Sequence, residues 1–531
     1  MLNTVRATRA IAVAPHHLAS QSALSVMRDG GNAIEAMLAA AATIAVAYPH
    51  MNGIGGDSFF VILAPGAAPI GIDACGPAAK AACMQAYAAK GLAAIPLRGA
   101  LAGNTVPGTI GGWSAALELA AELGGKLPLS RLLADGIAYA RDGVAVTDSQ
   151  ARATRTRLVE LDGIPGFRDT FLIDGQLPRA GQRFRQPRLA RTLSMLARDG
   201  LDSYYRGPLA ADIARDLEAV GSLVTAADLA AYRARRCVPL HLAHSAGDVY
   251  NMIAPTQGVV SLAILGLLDR AGLAQVEADS ADHVHLVVEA TKLAFELRDN
   301  YVTDAACMSV DAQALLAAGK LDALARHIDI GQAAPWGAGR GPGDTVWMGA
   351  IDQDGLAVSF IQSIYHEFGS GVVLPQTGIN WQNRGASFSL DSTSLLALQP
   401  GKKPFHTLNP AAARLKDGRV MLYGTMGGDG QPQTQAALFT RHVVFGQPLQ
   451  AAVSAPRWLL GRTWGESSDT LKLESRFPQA VVDELRRRGH SVDVLAAFDE
   501  TMGHAGALLR HADGMLEGAA DPRSDGGVAA C

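Results

Sequence analysis

Residues 331–344 read GQAAPWGAGRGPGD, and residues 345–365 continue as TVWMGAIDQDGLAVSFIQSIY. The first stretch repeats Gly and Pro without apolar periodicity, which predicts an exposed, mobile linker. The second contains two β-prone runs separated by DQDG, which predicts a hairpin with Gly355 at positive φ. Thr345 is therefore expected to begin a rigid strand where a loose linker ends, and this is the clearest break in the chain.

Length and composition bound the class of protein. The chain has 531 residues, of which 49% are hydrophobic and 18% charged. This composition predicts a large buried interior, arranged as two packed lobes or one large layered domain. The net charge of -4 shows no basic surplus. We therefore expect a small-molecule partner and no nucleic acid.

Cysteine and histidine spacing gives no sign of a metal site. The five cysteines are odd in number and lack CxxC spacing, so we expect buried free thiols. His16, His17, His283 and His285 lack HExxH-like spacing and are expected to have structural or surface roles. The sequence thus predicts neither a metal nor another cofactor.

The N-terminus shows no secretory signal, and the apolar run at 36–48 is shorter than the ~20 residues of a membrane span. We expect a buried core helix there, no membrane partner and a cytoplasmic location.

Capping signals place several helices. Residues 18–48 predict two helices separated by Gly30-Gly31, with Asn32 capping the second. Thr225 and Asp228 form a capping-box variant, and residues 282–299 keep helical periodicity. Near the C-terminus, RVMLYG predicts a strand, TMGGDG a glycine-rich loop and PQTQAALFTRHVVF a helix.

A hydroxyl nucleophile needs a base, and no serine lies in a GxSxG elbow. Cleavage between Asp344 and Thr345 would free an α-amine with an ordinary pKa of ~7.7 to 8.0, which is able to serve Thr345 as its base. The alternative is that Thr simply favours strands and Asp-Thr marks a turn. Spacing alone leaves both interpretations open.

Collinear motifs over nearly the whole chain resemble the γ-glutamyltransferase family of N-terminal-nucleophile hydrolases. They include GGNAIEAMLAAAATIAVAYPHMNGIGGDSFFVI, NTVPGTIGGW, FGSGVVLPQTGI, KPFHTLNPAAA, YGTMGGDGQ and ADPRSDGG. The resemblance implies an α+β fold, an αββα sandwich made as a precursor that cuts itself before Thr345. Cleavage would give a large piece, 1–344, with the linker 331–344 at its end, and a small piece, 345–531. These would remain one intertwined αβ heterodimer, with its further dimerisation left open.

The same resemblance implies roles for four residues. Thr345 is the nucleophile, Ser363 orients it, and the backbone N–H groups of Gly427 and Gly428 form the oxyanion hole. An anion cradle for phosphate is the alternative for this glycine loop, but TMGGDG lacks a following Lys-Ser/Thr pair.

The departures from the family pattern fall on residues that read the substrate. Asp73 occupies, or lies next to, the position at which the family has the arginine that holds the α-carboxylate of the substrate. Tyr365 replaces an asparagine that helps to hold the substrate's α-amine. Arg384 and Ser387 replace a Gln and an Asp, His406 and Thr407 replace two serines, and Val346-Trp347 replace the usual Thr-His continuation.

These replacements predict that this part of the substrate site is positively charged and binds an anionic acyl group. The planar guanidinium of Arg can form two parallel hydrogen bonds to a carboxylate. A solvated surface position is the alternative for Arg384. The side chains of Trp347, Tyr365, Trp381 and His406 are expected to narrow the pocket if they face it. His366 is a further pocket candidate.

The runs SIYHEFGSGVVLPQTGI and WQNRGASFSLD most resemble the oxamate amidohydrolase subgroup. The resemblance implies hydrolysis of a linear amide, oxamate, to oxalate and ammonia through a threonyl acyl-enzyme in purine and allantoin degradation. Within the enzymes, the alternative is a γ-glutamyl hydrolase or transferase, or an acylase for a larger amide, with a residue such as Arg98 holding the carboxylate. Outside them, the alternative is an unprocessed relative that only binds a small anion.

Overall fold

A computed structural model describes residues 2–337, 344–461 and 469–531. The strands are Val5–Ala7 (β1), Ile11–Ala14 (β2), Asp57–Leu63 (β3), Ile70–Ala74 (β4), Val144–Ala145 (β5), Arg183–Phe184 (β6), Arg235–Cys237 (β7), Leu240–His244 (β8), Gly247–Asn251 (β9), Asp344–Ile351 (β10), Ala357–Tyr365 (β11), Ala411–Leu415 (β12), Val420–Gly424 (β13), Trp458–Leu460 (β14), Leu471–Glu474 (β15), Val492–Leu495 (β16), Gly506–Arg510 (β17), Leu516–Ala520 (β18) and Gly527–Ala530 (β19).

The α-helices are His17–Arg28 (α1), Ala33–Ala47 (α2), Met84–Ala88 (α3), Thr109–Glu122 (α4), Leu129–Leu132 (α5), Ala134–Asp142 (α6), Asp148–Leu161 (α7), Phe167–Phe171 (α8), Pro187–Asp199 (α9), Pro208–Ala219 (α10), Ala226–Ala231 (α11), Gly258–Leu268 (α12), Ala281–Tyr301 (α13), Ala318–Ala325 (α14), Gly430–Phe439 (α15), Leu449–Ser454 (α16) and Gln479–Arg487 (α17).

Two antiparallel sheets form the centre of the molecule. The first sheet has the strand order β19-β2-β10-β11-β3-β4-β7, and the second has the order β1-β18-β17-β13-β12-β9-β8. They pack face to face through an apolar layer that includes Phe59, Trp347, Leu422 and Leu508. Helices α1, α2 and α4 pack on the first sheet, and α12, α15 and α16 pack on the second. The four layers confirm the αββα sandwich.

The predicted helix signals are confirmed. Asn32 accepts hydrogen bonds from the N–H groups of Ile34 and Glu35, the Glu35 carboxylate accepts from the Asn32 N–H, and α2 is buried along its whole length. Thr225 and Asp228 form the expected capping box before α11. The helix predicted after the glycine loop is α15. Its α-helical part is shorter than predicted, because it ends at Phe439 and Thr440–Val444 continue as a π-helical turn.

The hairpin after the predicted linker is also confirmed, with Gly355 at a φ of 84°. Its first strand begins at Asp344 and not at Thr345, because Asp344 pairs with Tyr365 across the ladder. The register then shifts, so that Val346 pairs with Gln362. The Asp344-Thr345 peptide bond thus lies within a strand, at an irregularity of the kind that re-aims side chains.

The start of the predicted linker is held by hydrogen bonds. The Ala333 N–H donates to the Arg488 carbonyl, and the Ala334 N–H donates to the Glu289 carboxylate. Lys292 Nζ donates to the Ala334 carbonyl at 2.6 Å. These contacts anchor residues 333 and 334; the mobile linker over 331–344 stays a prediction, and residues 338–343 lie outside the described part.

Both sheets contain strands from both sides of Thr345. In the first sheet, β3 lies beside β11, and in the second sheet β9 lies beside β12. The division into 1–344 and 345–531 stays a prediction, but it would cut neither sheet into separable halves.

The burial of the cysteines and the length and apolar character of the helices test two of the expectations. Only Cys75 is fully buried and Cys307 is exposed, so the prediction of uniformly buried thiols is wrong. In the described ranges, no helix is both long enough and apolar enough to cross a membrane.

Candidate active site

Thr345 is fully buried at the register shift of β10. The register shift interrupts the regular alternation of side chains, so the direction of the Thr345 side chain is given by its contact. Gln431 Nε2, at the start of α15, which packs on the second sheet, lies 3.5 Å from Thr345 Oγ1. Sequence reasoning did not single out Gln431, although it ends the quoted run YGTMGGDGQ.

The glycine loop lies between β13 and α15. Gly427 and Gly428 have φ angles of 116° and 52°, which favour glycine. Their carbonyls accept from the N–H groups of Gly430 and Gln431. Within the described residues, neither glycine N–H donates to a backbone acceptor. The loop ends at Gln431, which contacts Thr345, and the role of the two glycine N–H groups as an oxyanion hole stays a prediction.

Ser363 lies opposite the irregular part of β10 and is buried. Its Oγ accepts a hydrogen bond of 2.8 Å from the Tyr365 N–H. This contact fixes the backbone turn into Tyr365, whose φ is 84°. The orientation of Thr345 by Ser363 stays a prediction.

Arg384 is fully buried, so the alternative of a solvated surface arginine is wrong. Its guanidinium carbon lies 3.9 Å from the centroid of the Tyr365 ring, and its Nη1 lies 3.5 Å from Thr407 Oγ1. Its Nε and Nη2 have no hydrogen-bond partner among the described residues. Burial lowers the pKa of Arg384 to about 10, which leaves it charged at neutral pH.

This cationic group lies close to the Asp344-Thr345 bond. Tyr365, on which Arg384 stacks, is the ladder partner of Asp344. On the other side, Gln257 Nε2 donates to the carbonyls of both Thr407 and Gly428. Thr407, which contacts Arg384, is therefore tied to the glycine loop.

Two further predicted residues carry buried polar atoms without partners. Ser387 Oγ and His406 Nδ1 have no hydrogen-bond partner in the described part of the chain. The other ring nitrogen of His406, Nε2, lies 2.9 Å from Asp57 Oδ2. Asp57 belongs to the GIGGDS run, and sequence reasoning missed it because its partner is distant along the chain.

Three of the predicted residues have partners that limit their roles. Asp73 forms an ion pair of 2.5 Å with Lys403, so its charge is compensated. The His366 N–H donates to Asn383 Oδ1, and its ring lies 4.3 Å from the Tyr365 ring. Arg98 donates to the carbonyls of Glu367 and Gly369, which removes it as the carboxylate holder of the alternative interpretation.

The two tryptophans do not narrow the pocket as predicted. Trp347 donates to Ser359 Oγ and packs against Gly424 and Gly506 between the sheets. Trp381 donates to the Gly103 carbonyl in the core of the first sheet and its helices. Both are core residues, because strand alternation in β10 and the local packing of Gly103 direct their rings inward.

In the part of the chain that the structure describes, two buried groups have ligand-type atoms close enough together to hold a metal ion. One comprises Asp57, Cys75 and His406, and the other comprises His285, Glu289 and His490. The first faces the Arg384 charge. In the second, Glu289 pairs with Lys292 at 2.6 Å and the two histidines hydrogen-bond each other at 2.8 Å. Neighbouring cations and existing hydrogen bonds disfavour a divalent ion at either group.

Comparison with known proteins identifies close relatives. The Gamma-glutamyltranspeptidase family matches residues 19–531. The oxamate amidohydrolase proenzyme of Klebsiella pneumoniae is 62% identical over 98% of both chains. The glutathione hydrolase-like YwrD proenzyme of Bacillus subtilis is 39% identical over 99% of both chains. Among solved structures, cephalosporin acylase from Bacillus halodurans has a TM-score of 0.91 and 34% identity, covering 100% of this chain and 97% of its own.

Proposed function

The chain belongs to the gamma-glutamyltranspeptidase family, and on that premise we propose that it is a self-processing amidohydrolase that converts oxamate to oxalate and ammonia. The observation that carries the choice of substrate is the buried Arg384 guanidinium. Two of its nitrogens lack partners among the described residues, beside the strand that holds Thr345. A small amide with an adjacent carboxylate would supply the missing acceptors. The name of the 62% identical relative supports the same substrate.

Self-processing would begin in the strand. Thr345 Oγ attacks the carbonyl carbon of Asp344, the peptide C–N bond breaks, and the nitrogen becomes the free amine of Thr345. Water then hydrolyses the ester, which leaves the Asp344 carboxylate and the Thr345 hydroxyl. The register shift at this bond supports such a step, because an irregularity of this kind bends the strand and re-aims its side chains.

In the cleaved enzyme, the Thr345 amine takes the hydroxyl proton while Oγ attacks the oxamate carbonyl. The N–H groups of Gly427 and Gly428 stabilise the oxyanion, and the leaving nitrogen takes the proton from the Thr345 amine and departs as ammonia. Water then attacks the oxalyl ester and releases oxalate. Gln431, at 3.5 Å from Thr345 Oγ1, positions the hydroxyl.

The substrate carboxylate would be held by Arg384, with Ser387 and Thr407 beside it. These three groups include no carboxylate to receive the α-amine of a γ-glutamyl group. The expected residence in the cytoplasm and the place in purine degradation stay predictions.

The test is ammonia release from oxamate and from glutamine, each at saturating concentration. The proposal expects turnover of oxamate, with glutamine slower by about 10²-fold or more, because a buried ammonium would face Arg384 unpaired. Turnover of glutamine alone would support the γ-glutamyl alternative and overturn the proposal. Thr345→Ala is the control, which should neither self-cleave nor release ammonia. A wild-type protein that stays at full length on a denaturing gel would support the anion-binding alternative.

A further inference from the structure

Asp57 and His406 form a fully buried pair that the proposed mechanism does not use. His406 Nε2 lies 2.9 Å from Asp57 Oδ2, and the imidazole packs edge-on against Phe59. Asp57 Oδ1 accepts from the N–H groups of Gly108 at 2.9 Å and Gly76 at 3.2 Å. One carboxylate oxygen is therefore occupied by backbone donors, and the other faces the imidazole.

The unpartnered atoms around this pair include several hydrogen-bond donors. Arg384 Nε and Nη2 and Ser387 Oγ are buried without partners among the described residues, and so is His406 Nδ1. Thr407 directly follows His406, and Thr407 Oγ1 lies 3.5 Å from Arg384 Nη1. His406 and Arg384 are therefore close to each other. If His406 Nδ1 carried a proton, it would join these donors in facing one anionic group.

We propose that Asp57 is a positioning residue whose carboxyl proton sets the tautomer of His406, so that His406 Nδ1–H donates to the carboxylate of the bound acyl group. In this state Asp57 Oδ2–H donates to His406 Nε2, and the imidazole is neutral. The proton comes from solvent when the anionic substrate binds. The inference rests on the proposed function, since it assigns the partner of the substrate carboxylate.

The electrostatics of the pair support this placement of the proton. Burial raises the pKa of Asp57 to about 7, against the opposing effects of Arg384 and of the hydrogen bonds from Gly76, Gly108 and Gln382. Burial lowers the pKa of His406 far below its ordinary value, with Arg384 and Lys403 acting in the same direction. A proton shared by the two residues is therefore held on the carboxyl.

The other groups around the pair are charged partners or stay neutral. Lys403 is paired with Asp73. Burial raises the pKa values of Cys75, Tyr204, Tyr205 and Tyr232, so these groups are uncharged at neutral pH. Among the described residues, Arg384 is thus the uncompensated cation that faces Asp57, and a bound carboxylate beside Arg384 would favour proton uptake.

The structure offers a substitution that separates the two possible tautomers. In Asp57→Asn, the side-chain carbonyl would keep the Oδ1 position, because two backbone N–H groups donate there. The amide NH2 would then face His406 Nε2 and donate to it. This variant fixes the proton on His406 Nδ1 at every pH, whereas Asp57→Ala leaves the tautomer free.

The kinetic test compares KM for oxamate between about pH 6 and about pH 9 in the wild type and both variants. In the wild type, the Asp57 proton is present below the pKa of about 7 and is lost above it. KM should therefore rise above neutral pH by up to about tenfold per pH unit. Asp57→Asn should keep the low-pH KM across the range, and Asp57→Ala should raise KM at all pH values. Asp352→Asn is the matched control, since Asp352 is a buried carboxyl that accepts from the Leu356 N–H in the hairpin turn and from the Ala33 N–H at the start of α2.

A second measurement does not depend on turnover. Calorimetry of oxalate binding in two buffers of different ionisation enthalpy counts the protons taken up. At about pH 8, uptake should approach one proton in the wild type, because the free pair has lost its proton and the complex regains it, and none in Asp57→Asn. A raised KM at every pH in a self-cleaved Asp57→Asn, or equal proton uptake in both proteins, would overturn the inference. Absence of oxamate turnover in a wild type that shows the uptake would instead count against the proposed function alone.

Discussion

The guanidinium of Arg384 lies 3.9 Å above the ring of Tyr365, and no carboxylate forms an ion pair with it in the described residues. Tyr365 is in turn the ladder partner of Asp344. A buried cation without an ionic partner destabilises the folded protein, so its presence beside the predicted nucleophile indicates a functional requirement.

Arg384→Met should abolish oxamate hydrolysis while leaving the protein at least as stable as the wild type. The methionine removes a desolvated charge and still packs on Tyr365, so neither the melting temperature nor the free energy of unfolding should fall. Thermal melting and ammonia release measure the two effects. Arg298→Met is the matched control, because Arg298 is equally buried but pairs with Asp429 at 2.8 Å. That control should lose about 3 to 5 kcal/mol, since it removes one partner of a buried ion pair. A stable, active Arg384→Met would contradict the assignment.

Gly427→Ala should lower kcat by about 10²-fold or more with a smaller change in KM, because the methyl group strains a residue at a φ of 116° and displaces its N–H. Steady-state kinetics with oxamate gives both constants. Gly446→Ala controls for strain alone, since Gly446 has a φ of 69° and open space around its Cβ position. The control should lose about 1 to 2 kcal/mol of stability and no activity. Equal kinetics for the two variants would remove the oxyanion role from Gly427.

The two pieces of the cleaved chain should elute together on gel filtration in native buffer and separate only in denaturant. Each central sheet contains strands from both sides of Thr345, so separation would expose unpaired strand edges and the apolar layer between the sheets. A denaturing gel of the eluted peak should show pieces of 344 and 187 residues, from the 531 of the precursor. Thr345→Ala should elute at the same position and give one full-length band. Elution of the wild-type pieces in separate peaks would show that they are independent domains.

Much of the architecture follows from local sequence signals. The Asn32 and Thr225 caps, the α2 helix and the hairpin with Gly355 were each predictable, because caps, periodicity and turn residues act within a few positions of one another. The sequence did not predict whether a single polar residue, such as Arg384, is exposed or buried. Arg384 has the sequence context of a surface loop, and only the packing of Tyr365 and Thr407 around it removes it from water.

The sequence by itself determined the class of protein and the position of its candidate nucleophile. The predicted linker, the strand at Thr345, the glycine loop and the collinear family motifs are patterns of residues that are neighbours along the chain. They can therefore be recognised without knowing any tertiary contact. The tertiary structure decided which side chains meet. Trp347 and Trp381 belong to the core, where their indole N–H groups donate to Ser359 Oγ and to the Gly103 carbonyl. Asp57 meets His406 across 349 positions of the chain, and a contact at that separation exists only once the two sheets have packed together.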